Sequence, residues 1–313
     1  MPAHNTGPLI AHAIRSVLRQ TYEAFELIVV DDGSTDETAA TAGAFTADPR
    51  IRLIEQPNRG PSAARNAGIA LARGEYISML DSDDMWLPGY LEVMAAALDS
   101  DPTAGLAYTD AWVLDEPTGR IRRTTMMHYQ RPPADPPADS ERFLRLLLDR
   151  NFVYTSVTVR KSVLDAVGGF DERLWTGEDW ELWLRIVAAG YRALRPADVL
   201  AIHRLRPGSL SADLPRMIEG VCEVYRIVEQ EWDTTDGVRE LVRTKRALWE
   251  RRLQLHRDPY TRRSPVEAAA EIARTLKRMI LARRLWLSHV PTELAAVLAA
   301  VRGGIPGPTR SGG

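Results

Sequence analysis

The sequence predicts an α/β protein: a mixed, mainly parallel sheet flanked by helices, followed by a helical C-terminal extension. Three observations predict it. Helix and strand patterns alternate from Leu9 to Leu80, two of the predicted strands run straight into acidic turns, and from about Pro215 the pattern becomes almost wholly helical with basic stretches. Alternation of this kind is how a chain joins parallel strands through crossover helices. Carboxylates at the ends of such strands stand where open α/β sheets place their ligands.

Taken in order, Leu9, Ile10, Ala13, Ile14, Val17 and Leu18 fall at helical spacing, with Pro8 suited to the first turn. Phe25 to Val30 is an apolar strand that ends in Asp31, Asp32, Gly33 and Ser34, and Asp36 is placed to cap a helix over 37–45. Ile51 to Ile54 is a third short strand, and 61–72 an alanine-rich helix stopped by Gly74. Tyr76 to Leu80 is a buried strand running into Asp81, Ser82, Asp83 and Asp84. Beyond it the pattern gives a helix at 91–98, a strand at 104–114 and a Pro-, Arg- and Asp-rich loop at 116–140. A helix at 143–149, a strand at 155–160 and a helix at 161–167 closed by Gly168 and Gly169 follow. After Gly177 comes a helix with Trp180, Leu184 and Val187 on one face, then a strand at 199–204 and the turn Pro207, Gly208, Ser209. The expected organisation is a catalytic α/β unit over 1–214, a helical region over 215–302 and a disordered tail over 303–313. Only Met1 to His4 precede the turn at Asn5 to Pro8, so the opening strand is expected to be missing or truncated. A gap should then lie between Leu27–Val30 and Tyr76–Leu80.

The chain's 313 residues are ample for a large core. A formal net charge of −2 argues against a nucleic-acid binder. The single cysteine, Cys222, excludes an internal disulfide and fits a reducing compartment. The N-terminal MPAHNTGPL has neither the basic start nor the apolar core of a secretory signal, and the best membrane-span candidate, 285–301, is interrupted by His289, Pro291 and Glu293. A cytoplasmic protein is the expectation. Residues 265–287 set Arg274, Lys277, Arg278, Arg283 and Arg284 among apolar residues. Such a helix can lie on anionic headgroups, giving peripheral attachment at the cytoplasmic membrane face. It can equally pack on the catalytic unit or on a second subunit of a homodimer, the reading preferred because acidic residues lie nearby.

In an extended segment Asp81 and Asp83 leave the chain on the same side, offering two carboxylates to a hard divalent cation. The alternative is a polar turn that uses aspartate for its turn chemistry.

Together, DDGS at 31–34, ARNAG at 64–68, LDSDDMW at 80–86, GGFDE at 168–172 and GEDWELWLR at 177–185 resemble the inverting glycosyltransferases of family 2. The order and spacing match across roughly residues 2–210, and Pro2 to Asn5 looks like the end of that family's opening strand. The resemblance implies a GT-A fold and transfer of a sugar from a nucleotide diphosphate sugar, most often a UDP-sugar, to a sugar or lipid-linked acceptor. It implies that Asp32, with Asp31 beside it, recognises the nucleotide, together with Pro2, His4, Arg65, Asp81 and Ser82. Asp83 and Asp81 match the Asp-X-Asp motif, Asp83 being the first choice for Mn2+ or Mg2+ and Asp81 for the ribose. Asp179 matches the general base, with Glu178 as its substitute. Trp175 and Trp180 offer stacking faces to an acceptor, although Trp180 at helical spacing also suits a core. Where the family often has Tyr-Arg-X-His, this chain has His203, Arg204, Leu205 and Arg206, so His203 becomes a strand residue or a cation neighbour and Arg206 a phosphate ligand. A catalytically idle nucleotide-sugar binder is the competing reading, and the intact GEDWELWLR weighs against it.

Overall fold

A computed structural model describes residues 1–257, apart from 129 and 155. The basic segment 265–287 and the tail 303–313 lie outside the described residues. Along the chain the strands are β1 (Pro2–Ala3), β2 (Leu27–Asp32), β3 (Ile51–Gln56), β4 (Tyr76–Ser78), β5 (Met85–Trp86), β6 (Ala104–Tyr108), β7 (Asp110–Asp115), β8 (Arg120–Ile121), β9 (Val157–Arg160), β10 (Arg192–Leu194) and β11 (Val199–Leu205). The helices are α1 (Gly7–Leu18), α2 (Thr38–Gly43), α3 (Pro61–Leu71), α4 (Tyr90–Ser100), α5 (Ser140–Asp149), α6 (Lys161–Val167), α7 (Glu178–Ala188), α8 (Leu214–Glu231) and α9 (Asp236–Arg257).

The strands form three sheets, ordered β1-β2-β3, β10-β6-β9-β4 and β5-β11-β7-β8. The long ladders, β2 with β3 and β11 with β7, are parallel, while β9 runs antiparallel to β4 and β6. The predicted single strand over 104–114 is two strands that belong to different sheets, separated at Thr109. Thr109 Oγ1 donates to the Asp198 carbonyl at 2.6 Å and fixes the crossover. Residues 104–111 are buried throughout, so nothing in their hydrophobicity marks that break. The loop predicted at 116–140 contains one short strand, β8, which pairs antiparallel with β7.

At the front of the sheet the chain forms two strand residues. Pro2 pairs with Val30 and Ala3 with Asp31, and the Met1 amino group donates to the Ile28 carbonyl at 2.9 Å. β2 and β4 do not pair, and a cavity of about 570 Å³ separates them, lined by Leu27, Ile28, Tyr76, Ile77 and Met79. The expected gap is therefore present.

Local chemistry sets the entry of the helices that carry the site. Asp36 accepts from the Thr38 N–H at 3.0 Å, but α2 begins at Thr38, so the N-cap position falls on Glu37 rather than on Asp36. Gly60, at φ +90°, turns the chain into α3, and Gly177, at φ +77°, turns it into α7; L side chains rarely adopt either conformation. The larger core lies among α5, α7 and the second sheet, where Trp183, Leu182 and Leu147 are fully buried. Val224, Tyr225 and Val228 of α8 and Val238 and Val242 of α9 join that same core. Each such side chain contributes about 1.5–3 kcal/mol when buried, so the described C-terminal helices are packed on the catalytic body.

Candidate active site

A cleft of about 970 Å³ opens between the ends of β1 and β2, the acidic turn after β4, the start of α7 and the segment after β11. That volume suits a small-molecule ligand. Four groups of residues shape it.

At one end stand Pro2, His4, Asp32 and Ser82. The His4 Nδ1 lies 3.0 Å from the Asp32 carbonyl. Both carboxylate oxygens of Asp32 already serve the protein: Oδ1 accepts from Gln56 Nε2 at 2.7 Å and the Arg59 N–H at 2.9 Å, and Oδ2 from the Gly60 N–H at 2.8 Å. Asp32 thus holds the 59–60 turn against the strand end. Ser82 Oγ accepts from Thr6 Oγ1 at 3.0 Å. Asp31 does not belong with them. Neighbouring strand residues face opposite sides, so Asp31 turns away from the cleft, is 3% exposed and accepts from the Ser34 N–H at 3.2 Å. Asp32 lines the cleft and Asp31 is not among its lining residues.

Arg65, on α3, is the centre of the second group. It is buried, its Nη2 donates to Asp81 Oδ1 at 2.7 Å and its Nη1 to Glu178 Oε1 at 2.5 Å. Burial alone would lower the guanidinium pKa; the carboxylates of Asp81 and Glu178 outweigh it and raise the value. Arg65 is committed to two protein carboxylates, joining Asp81 of the acidic turn to Glu178 of α7.

The third group joins the acidic turn to β11. Asp84 is buried and accepts from the Arg204 N–H at 2.8 Å through Oδ1, while its Oδ2 lies 3.0 Å from His203 Nδ1. Burial lowers the His203 pKa, but Asp84 and, more weakly, Asp83 and Asp81 override it and push the value up to about 9. His203 thus faces the acidic turn with its protonated form favoured by Asp84. Arg206 Nε donates to Asp83 Oδ2 at 2.8 Å, and Arg204 Nε donates to the Asp83 carbonyl at 2.8 Å. Asp83 has its carboxyl pKa raised to about 6, by burial and then by the charges of Asp84 and Asp81, with Arg206 pulling it back.

The fourth group is the start of α7. Asp179 lies in the cleft, where its Oδ1 accepts from the Trp180 N–H at 2.6 Å. Burial, then the charge of Glu178, lifts its pKa to about 7; Arg65 and the Trp180 N–H oppose them. Glu178 is buried and its Oε1 accepts from Arg65. Trp180 is 3% exposed, donates from Nε1 to the Leu147 carbonyl at 3.1 Å and meets Tyr225 edge-on; it is a core residue. Trp175 is 43% exposed on the cleft wall, with the Arg216 guanidinium 5.1 Å from its ring centre.

Asp84, Arg204 and Arg216 had no assigned part in the sequence reading. Asp84 and its partners are about 120 positions apart, and no local spacing announces such a contact.

The three sheets and this carboxylate-lined cleft define a GT-A type glycosyltransferase. The chain belongs to glycosyltransferase family 2: the profile described as "Glycosyl transferase family 2" matches residues 1–168. The succinoglycan biosynthesis protein ExoO of Rhizobium meliloti is 36% identical over 212 residues, 67% of this chain and 60% of that protein. The chain thus spans less than two thirds of that relative's length. WcaA of Escherichia coli, named for colanic acid biosynthesis, is 30% identical over 268 residues, 82% of this chain and 91% of that protein. Among solved structures, Staphylococcus aureus TarS in complex with UDP-GlcNAc aligns with a TM-score of 0.62 at 20% identity, covering 79% of this chain and 70% of that one. Mannosyltransferase PcManGT from Pyrobaculum calidifontis, in complex with GDP-Man and Mn2+, aligns with a TM-score of 0.61 at 20% identity, covering 96% and 84%. At that identity the likeness is one of fold. No helix among the described residues is long and apolar enough to cross a membrane.

Proposed function

We propose that the chain moves a sugar from a nucleoside diphosphate sugar to an acceptor hydroxyl, with inversion at the anomeric carbon, in the assembly of a bacterial polysaccharide or glycoconjugate. The names of ExoO and WcaA support the pathway class, and the ligands of the two solved relatives support the donor class. One observation carries the mechanism. A carboxyl with a pKa near 7, Asp179, shares a cleft with the Asp81 and Asp83 turn.

In a single displacement the Asp179 carboxylate accepts the acceptor hydroxyl's proton as that oxygen bonds to the anomeric carbon. The bond to the diphosphate breaks on the opposite face, which inverts the centre, and Asp179 is left protonated. A pKa near the working pH suits a group that must both take the proton and lose it. Arg65 keeps Asp81 and Glu178 in fixed places on either side.

A divalent cation fits this donor set. Asp83, with Asp81 beside it, supplies hard carboxylate oxygens, and among the described residues no cluster of three or more His, Cys, Asp or Glu forms a complete cage. A magnesium-like ion takes one or two carboxylates and draws its other ligands from substrate phosphates and water. Such an ion offsets the charge gained by the departing diphosphate.

The test is a panel of UDP- and GDP-sugars assayed for nucleoside diphosphate release with and without Mn2+. Turnover with one donor, lost in Asp179→Asn while nucleotide binding survives, is the expected result. Full transfer by Asp179→Asn would remove the base assignment, and unchanged donor binding by Asp83→Ala would remove the cation assignment.

A further inference from the structure

We infer that Arg206 and the divalent cation exchange on Asp83: the guanidinium occupies the carboxylate while the donor is absent, and passes to the donor's diphosphate when the cation takes its place. The inference rests on the proposed cation role of Asp83 and deepens it.

Four observations lead to it. Arg206 Nε donates to Asp83 Oδ2 at 2.8 Å, and both side chains are largely buried, at 17% and 19% exposure. The pair is therefore a partly desolvated ion pair in the cleft, where one guanidinium N–H takes an oxygen that a cation would need. Next, the cation would have to displace a partner that is already in place. Arg206 Nε is on Asp83 Oδ2 and Arg204 Nε on the Asp83 carbonyl. A dication entering alone competes with the Arg206 guanidinium for Asp83; a dication arriving with a diphosphate brings the anion that can take the guanidinium up.

The third observation is the division of labour among the positive groups. Arg65 is spent on Asp81 and Glu178, Arg204 on the backbone of the acidic turn, and His203 on Asp84. Among the described residues, the Arg206 side chain is bonded to the carboxylate of Asp83. Finally, Arg206 sits just past the end of β11, next to the turn at Pro207 and Gly208, where Gly208 has φ +80° and open space around it. Arg206 thus lies beyond Leu205, the last residue of β11 in the ladder with β7. A guanidinium released there meets phosphate oxygens with the fork geometry that suits them.

The consequence is synergy. Cation and nucleoside diphosphate should each bind weakly alone and tightly together, because each removes the obstacle to the other. The experiment measures Mn2+ binding to the full chain by electron paramagnetic resonance of free Mn2+, without nucleotide and with saturating UDP or GDP. In the wild-type protein one of the two nucleotides should tighten Mn2+ binding about tenfold or more. Arg206→Gln should bind Mn2+ at least fivefold more tightly than wild type in the absence of nucleotide, and should lose most of the nucleotide-dependent gain. Arg206→Lys, which keeps a cation on Asp83, should behave like wild type without nucleotide and guards against a folding defect in Arg206→Gln. Equal or weaker Mn2+ binding by Arg206→Gln without nucleotide overturns the exchange and leaves the cation reading intact. Absence of Mn2+ binding to the wild-type protein even with both nucleotides overturns the cation reading and the exchange with it.

Discussion

Arg65 bonds Asp81 and Glu178 at once, 2.7 Å and 2.5 Å away, so that one buried guanidinium ties the acidic turn after β4 to the first residue of α7. The two carboxylates come from segments almost a hundred positions apart. Removing one member of a buried ion pair costs on the order of 3–5 kcal/mol, because the remaining charge stays buried without its partner. Arg65→Ala should lower the unfolding midpoint on the order of 10 °C for a chain of this size. Arg65→Lys keeps the charge but cannot fork to both partners. It should stay folded and lose kcat/KM on the order of a hundredfold, since small misplacements of reacting groups are costly. Thermal melts with steady-state kinetics on the two variants check both halves.

The pH profile follows from Asp179. The base must be ionised, so kcat/KM should rise with pH and level off above the lifted value of about 7. Part of that lift comes from Glu178. Glu178→Gln removes the neighbouring charge and should move the acid limb to lower pH, even though the rate at its plateau falls because Arg65 loses a partner. An acid limb that stays where it is in Glu178→Gln would mean that Asp179 does not set it.

The same group predicts a stability effect of opposite sense to activity. A carboxyl whose folded pKa lies above its ordinary value of 3.8 binds its proton more tightly when folded, so stability falls as pH rises from near 3.8 to about 7 and is level beyond. Asp179→Asn removes the buried charge. It should melt a few degrees above the wild-type protein at pH 8, and that gain should shrink toward pH 4. Differential scanning calorimetry across this range measures it. Strain of this kind, held at a functional site, is what a trade-off between stability and activity looks like.

How much of this was legible in the sequence depends on the range of the signal. The acidic turn at 81–84, the base candidate at Asp179 and the helix entries at Gly60 and Gly177 are local patterns, and each lies in the cleft or turns a helix into it. Asp31 and Asp32 are neighbours on β2, so period-two geometry sends them to opposite faces, and Asp32 lines the cleft while Asp31 does not. The break of 104–114 into two strands depends on a hydrogen bond from Thr109 to Asp198, 89 positions away. The Asp84 cluster with His203 and Arg204 is of the same kind. Composition and periodicity carry no record of such partners, whereas a resemblance carried through several motifs did bring Asp32, Asp83 and Asp179 to one place.

Trp175 and Trp180 separate packing from function within five residues. Trp180→Ala removes a 3%-exposed ring that stacks edge-on with Tyr225, and should cost about 3–5 kcal/mol. Trp175→Ala removes a ring that is 43% exposed, with Arg216 beside it, and should leave the unfolding free energy within about 0.5 kcal/mol. Its effect should fall on KM for donor or acceptor. Denaturant titration and initial-rate kinetics on the same preparations distinguish the two.

Gly220 extends the reach of the site into the C-terminal helices. It lies on α8, and a Cβ added there would overlap the Thr176 hydroxyl and carbonyl oxygens and stand 2.9 Å from the Thr176 carbonyl carbon. Thr176 Oγ1 donates to the Arg216 carbonyl at 3.0 Å, so the helix and the segment entering α7 are in direct contact. Backbone atoms on one side and a helix on the other leave little room to relax. Gly220→Ala should therefore cost about 1–3 kcal/mol of stability. Because Thr176 is two residues from Glu178 and three from Asp179, the displacement should also reach the base. The expected outcome is a lowered melting temperature together with a kcat reduced several-fold at unchanged KM, and melting curves with kinetics on Gly220→Ala test it. A variant that melts lower but keeps its full kcat would show that α8 supports the fold without positioning Asp179.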